Sequence, residues 1–83
     1  MEMHTDGNGA AGLLQQVFAA EITTVERVCQ SCRAERPIGA HRSYSGAGVV
    51  LRCPECGDVA ATIVDRGDGY AVSIHGTWAF AGG

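Results

Sequence analysis

The sequence predicts a small α+β, mainly β fold. Its central part is a ribbon of β-hairpins with two cysteine-containing turns, preceded by one N-terminal amphipathic helix and followed by a C-terminal β-hairpin. Three observations predict it. Two C-x-x-C turns lie 20 residues apart, an apolar stripe with helical spacing precedes them, and alternating apolar residues follow them. At 83 residues the chain has room for a single domain. A core of that size seldom supplies more than about 3–5 kcal/mol, so an additional cross-link is expected.

The N-terminal part is predicted to be a short helix after a flexible start. Residues 1–9 are polar and glycine-rich, and Asp6 or Asn8 can cap a helix over residues 10–19. The apolar stripe follows one helix face and consists of Ala10, Leu13, Leu14, Val17 and Phe18. We expect this stripe to cover the core of the domain. The alternative is a helix that docks a partner through Leu13, Leu14 and Phe18.

Residues 22–57 are predicted to form the ribbon itself. A strand from Thr23 to Val28 and a second from Val49 to Arg52 each lead into a cysteine turn. The segment 43–48 is rich in serine and glycine, which favours a hairpin end.

Residues 58–81 are predicted to form the C-terminal β-strands. Val59 to Asp65 is β-branched and apolar, and residues 66–69 include glycines that tolerate positive φ in a tight turn. Beyond the turn, alternation predicts that the residues at even positions share one face: Tyr70, Val72, Ile74, Trp78 and Phe80.

The cysteines have the spacing of a tetrahedral metal site. Cys29 and Cys32 precede Cys53 and Cys56 in the pattern C-x2-C-x20-C-x2-C, which is typical of a four-cysteine zinc site. Two tight turns can aim four thiolates at one point, with Zn–S distances of about 2.3 Å. We therefore expect one structural Zn²⁺. Zinc binding is worth roughly 10–16 kcal/mol in peptides, so the metal-free chain is expected to be largely unfolded.

Other uses of the cysteines fit the pattern less well. Two disulfides require an oxidising compartment, and a redox C-x-x-C pair is usually single and opens a helix. Iron is the closer rival, because tetrahedral S4 sites suit either metal. The turn from Cys53 to Gly57 resembles those of rubredoxins, but the first turn continues into Arg33 where rubredoxins usually carry glycine. A rubredoxin-like iron electron carrier is thus a further alternative.

The basic residues are concentrated around the cysteines. Residues 27–52 carry five arginines and one acid, a net charge of +4, whereas the rest of the chain is −7. Four of these arginines could contact nucleic acid: Arg33, Arg36, Arg42 and Arg52. Zinc with four thiolates contributes −2, which reduces the local excess to about +2 and takes the formal charge of −3 to about −5. Phosphate backbones repel a protein of that charge, so nucleic acid is the less favoured partner.

With these elements placed, the chain resembles a family of short uncharacterised actinobacterial zinc-ribbon proteins. The resemblance covers most of the chain and rests on short matching segments besides the two cysteine turns: Asp6-Gly7-Asn8, Leu13-Leu14, Val17-Phe18, Thr23-Thr24 and the run from Leu51 to Gly57. Arg33 departs from the usual ribbon pattern, in which glycine often follows the second cysteine. The resemblance implies a zinc ribbon and no established activity.

No catalytic set is recognisable, so we predict a non-enzymatic binding module with a protein partner. A nucleic-acid-binding ribbon, as in a transcription- or ribosome-associated factor, is the alternative. The start of the chain, Met1 to Gly12, lacks the positive and apolar regions of a secretory signal. The apolar runs are much shorter than the roughly 20 residues of a membrane helix. These features predict a cytoplasmic protein without a membrane partner.

Overall fold

The computed structural model describes residues 3–6, 18 and 22–80. Its elements are eight strands and one 3-10 turn: β1 Met3–Asp6, β2 Glu26–Val28, β3 Glu35–Pro37, the 3-10 turn Ile38–Ala40, β4 Arg42–Ser45, β5 Val49–Arg52, β6 Val59–Asp65, β7 Tyr70–Ile74 and β8 Thr77–Ala79. Among these residues no helix is long and apolar enough to cross a membrane.

The strands form two antiparallel sheets. The larger has the order β1-β4-β5-β6-β7 and the smaller the order β3-β2-β8. Each cysteine turn closes a hairpin, the first between β2 and β3 and the second between β5 and β6. The predicted C-terminal hairpin also forms, with β6 and β7 paired from Ala61–Ile74 to Asp65–Tyr70. The two sheets thus present one cysteine turn each.

The core lies on one face of the larger sheet and continues onto the smaller one. Leu51 is paired with Ala61, and Val49 with Ile63, so these side chains share a face. The buried apolar cluster consists of Ile22, Ile38, Leu51, Ala60, Ala61 and Ile63. Phe18 and Trp78 pack against it, with their ring centroids 6.0 Å apart. Within the described ranges, this cluster comprises six side chains.

The predicted α+β class is wrong, because the described elements are eight β-strands and a single 3-10 turn. The helix predicted over residues 10–19 lies outside the described residues except at Phe18, which is helical and packs on the core. Antiparallel pairing between distant segments determines the class, whereas the apolar stripe was only a local signal. Residues 3–6, in the segment expected to be a flexible start, form β1 by pairing with β4.

The alternating C-terminal residues are divided between the two sheets. β7 belongs to the larger sheet and β8 to the smaller one, and Gly76 with φ 82° lies between them. A Cβ at Gly76 would lie 2.6 Å from the carbonyl oxygen of Val28, so this close approach requires glycine. The chain therefore crosses from one sheet to the other at a position that no other residue fits without strain.

Candidate metal centre

The two cysteine turns have the same backbone hydrogen bonds. In the first, Cys29 N–H donates to the carbonyl of Ala34 at 3.0 Å, and Arg33 N–H donates to the carbonyl of Cys29 at 3.2 Å. The second repeats this pattern, with 2.8 Å from Cys53 N to Asp58 O and 3.0 Å from Gly57 N to Cys53 O. Two different sequences thus adopt one turn conformation, which aims both cysteines of each pair to the same side.

Arg33 adopts the conformation that Gly57 has in the other turn. The φ of Arg33 is 66° and that of Gly57 is 81°, so both lie in the left-handed region. This region disfavours residues with a Cβ. Arginine in place of the glycine that is usual at this position therefore introduces backbone strain but does not change the shape of the turn.

The four sulfur atoms converge as a tetrahedral site requires. All four lie within 4.8 Å of one another. The Sγ atoms of Cys29 and Cys56 are 3.6 Å apart, and those of Cys32 and Cys53 are 3.7 Å apart. Sulfurs at about 2.3 Å from one zinc ion would be about 3.8 Å apart, whereas a disulfide bond is about 2.05 Å long. All four cysteines are free thiols, and their arrangement fits one metal ion.

Backbone amides and neighbouring thiols set the charge of the site. The N–H groups of Cys32 and Ser31 lower the pKa of Cys29 to about 6. At Cys56 the Asp58 N–H lowers the pKa, but burial and the three other thiols outweigh it and raise the pKa to about 11. Four thiolates so close together repel one another, and a divalent cation removes that repulsion. The site therefore favours a cation that displaces the remaining thiol protons.

Polar side chains link the two cysteine turns directly. Gln30, inside the first turn, donates from Nε2 to Asp58 Oδ2 at 3.0 Å and to the Val59 carbonyl at 3.2 Å. The Ser31 hydroxyl donates to the same Asp58 oxygen. Asp58 follows the second turn, and its Oδ1 accepts from Val59 N–H at 2.9 Å. We call the contacts of Gln30 and Ser31 with Asp58 and Val59 the inter-turn bridge.

A buried arginine anchors this bridge. Arg27 is 0% exposed and donates to Gln30 Oε1, to the His75 carbonyl at 2.9 Å and to His41 Nε2 at 3.1 Å. His41 is also buried, and its Nδ1 donates to the Pro37 carbonyl at 3.0 Å. Burial, together with Arg27, lowers the pKa of His41. His41 is thus neutral and accepts from Arg27.

Sequence patterns did not single out these polar residues. Arg27 belongs to the basic cluster of residues 27–52, where charge alone predicts exposure, and His41 does not have ligand spacing to either cysteine pair. Gln30 and Asp58 are 28 residues apart, so no local pattern joins them. The one available signal was the presence of polar residues next to each cysteine pair.

The four arginines proposed for nucleic acid are distributed over the first cysteine turn, β3 of the smaller sheet, and β4 and β5 of the larger one. Arg36 is paired with Glu55, at 3.2 Å between Nη2 and the carboxylate. Arg42 and Arg52 are opposite each other on β4 and β5. Arg52 also donates to the Gly57 carbonyl at 3.1 Å and lies 5.8 Å from the centroid of the Tyr44 ring. Arg33 is exposed in the first cysteine turn.

Of the residues proposed for partner docking, Phe18 packs against the core, while Leu13 and Leu14 lie outside the described residues. Large apolar side chains are instead exposed along β7 and just after β8. Val72 is 38% exposed, Ile74 51% and Phe80 58%. Val72 is opposite Ile63, and Ile74 is opposite Ala61, so these side chains extend the core face to the edge of the sheet.

A family model matches residues 1–82 of the chain. The chain belongs to DUF6510, a family of unknown function. The predicted resemblance is confirmed to the extent that the family has no known function; its actinobacterial origin and zinc-ribbon character are not part of the family description. No curated protein and no solved structure matches the chain.

Proposed function

We propose that this protein is a non-enzymatic, zinc-stabilised module that binds a protein partner. The observation that carries the proposal is the convergence of Cys29, Cys32, Cys53 and Cys56 within 4.8 Å. A site with four thiolate ligands has no open coordination position, whereas catalytic zinc sites keep one for water or substrate. Zinc in such a site stabilises the fold. Free thiols also accord with a reducing, cytoplasmic compartment.

The proposed docking surface is the apolar edge of the larger sheet, formed by Val72 and Ile74 on β7. Among the residues that the structure describes, the outer side of β7 pairs with no strand. Exposed apolar side chains on a strand edge favour contact with another chain. β7 carries no charged residue that would discourage such contact. The docking role suggested for Leu13, Leu14 and Phe18 stays a prediction, although Phe18 already contributes to the core.

Two substitutions on β7 test this surface. Ile74→Asp places a charge on the apolar face, and Ser73→Asp places the same charge on the opposite face of the same exposed strand. Partners captured by the zinc-loaded wild type should be captured by Ser73→Asp and lost with Ile74→Asp. Circular dichroism and zinc content should be equal in both variants. Equal capture by the two variants would exclude the β7 face as the docking surface.

A second candidate function, nucleic-acid binding, is favoured by one observation. Arg42 and Arg52 lie side by side on adjacent strands next to the Tyr44 ring, which combines positive charge with a stacking surface. Binding through phosphates predicts that log K falls linearly with log salt, by about 0.9 per contacted phosphate on duplex DNA. A lack of DNA or RNA binding at low salt would eliminate this candidate. Metal analysis of the purified protein distinguishes zinc from the iron alternative.

A further inference from the structure

We propose that Gln30 and Asp58 are positioning residues for the metal: the inter-turn bridge holds the two cysteine turns in the relative orientation at which four thiolates meet. This inference rests on the zinc binding proposed above. It assigns a role in metal retention to side chains that do not themselves contact the metal.

The bridge joins the two turns close to their cysteines. Gln30 lies between the two cysteines of the first turn, and Asp58 is two residues beyond the last cysteine of the second. Asp58 also accepts from Cys53 N–H through its carbonyl at 2.8 Å, so one residue both closes the second turn and binds the first. A shift of one turn relative to the other would break these hydrogen bonds.

Gln30 is held in a single orientation from its buried side. Arg27 Nη2 donates to Gln30 Oε1, so the amide Nε2 must point toward Asp58 and Val59. Arg27 is in turn fixed by the carbonyl of His75 and by His41 Nε2. Rotation of Gln30 would remove an acceptor from a buried guanidinium, which is costly. Gln30 itself is exposed, but its orientation is thus set by the buried Arg27.

The polarity of the bridge can be reversed by exchange of two groups. In the wild type the Gln30 amide donates and the Asp58 carboxylate accepts. In the double variant Gln30→Glu with Asp58→Asn, the new amide at position 58 would donate to the new carboxylate at position 30. That carboxylate would still accept from Arg27, and the amide oxygen at position 58 would still accept from Val59 N–H. The Ser31 hydroxyl would accept from the new amide instead of donating to a carboxylate, and the hydrogen bond to the Val59 carbonyl, which can only accept, would not be restored. The single variant Gln30→Glu places two carboxylates against each other and so should break the hydrogen bond between positions 30 and 58. The double variant should remake this bond in the opposite direction.

Zinc retention measures the effect. Loss of hydrogen-bonding partners around metal ligands typically lowers affinity 10- to 100-fold. We expect Gln30→Ala and Gln30→Glu to raise the Kd for Zn²⁺ by that factor, in competition with a chelator, and to accelerate zinc release to a chromogenic chelator. The double variant should recover part of the loss, with both values between those of Gln30→Glu and the wild type, because it remakes the hydrogen bond between positions 30 and 58 but not the one to the Val59 carbonyl.

Glu55→Ala is the matched control. Glu55 also lies inside a cysteine turn, and its ion pair with Arg36 reaches the strand after the other turn, but both side chains are about half exposed. Exposed ion pairs contribute little, so zinc release should change less than about threefold. Circular dichroism verifies that each zinc-loaded variant is folded; if Gln30→Ala does not fold, the comparison of Gln30→Glu with the double variant decides.

Three results separate the possible outcomes. Weaker retention in the single variants with recovery in the double variant supports the inference. Wild-type retention in Gln30→Ala, or no recovery in the double variant, overturns it and leaves zinc binding intact. A wild-type protein that does not bind zinc would instead overturn the proposed function, which is a separate failure.

Discussion

Gly57→Ala and Arg33→Gly form a reciprocal pair of substitutions at the equivalent positions of the two cysteine turns. Gly57 has φ 81°, and a Cβ there would meet nothing within 4 Å, so alanine introduces backbone strain without a clash. Left-handed φ costs a residue with a Cβ roughly 1–2 kcal/mol. We expect Gly57→Ala to lower the free energy of unfolding by about 1 kcal/mol or more. At about 4–8 °C per kcal/mol for a domain of this size, the melting temperature should fall measurably.

Arg33→Gly should have the opposite effect, because Arg33 already adopts φ 66°. Relief of roughly 1–2 kcal/mol of strain is partly offset by the greater flexibility of glycine in the unfolded chain, about 0.4–1 kcal/mol. The expected net stabilisation is about 0.5–1 kcal/mol. Urea denaturation in a zinc buffer of fixed free concentration measures both variants. Gly69→Ala is the control, since Gly69 has no positive φ and an open surrounding.

The reasoning fails if Gly57→Ala is as stable as Gly69→Ala, or if Arg33→Gly is less stable than the wild type. Either result would mean that the two turns do not share the left-handed conformation on which the estimate depends.

Two further predictions concern the glycine between the sheets and the buried histidine. Gly76→Ala should destabilise the protein more than Gly57→Ala, because it adds a contact of 2.6 Å to the Val28 carbonyl, and thermal unfolding checks this order. Burial lowers the pKa of His41 from 6.5, so below pH 6.5 the unfolded state binds more protons than the folded state. The free energy of unfolding should therefore fall as the pH decreases below 6.5. Urea titrations at several pH values measure this dependence, which should be weaker in His41→Gln.

The metal site was predictable because its geometry is local. A C-x-x-C turn places two sulfurs together whatever surrounds it, and only the meeting of the two turns needs the rest of the fold. The hairpin of β6 and β7 was predictable for a similar reason, since β-branched residues flank glycines in a short turn. The strands Val49–Arg52 and Val59–Asp65 have the bounds that the sequence predicted.

Features that depend on distant contacts were not predictable. β1 contains only Met-His-Thr-Asp, and its strand conformation comes from pairing with β4 rather than from its own residue types. Arg27 carries a charge that composition assigns to the surface, whereas its hydrogen bonds to His41, Gln30 and the His75 carbonyl allow burial. The division of the alternating C-terminal residues between two sheets depends on Gly76, whose role is evident only beside Val28.

Metal removal tests the central claim most directly. The zinc-loaded protein should contain one Zn²⁺ per chain, and a strong chelator under reducing conditions should abolish its cooperative thermal transition and the near-ultraviolet signal of Trp78. The small apolar core and the convergence of four cysteines both predict this outcome. A metal-free protein with the same melting temperature and near-ultraviolet spectrum would contradict the account, since the four cysteines would then not be what stabilises the fold.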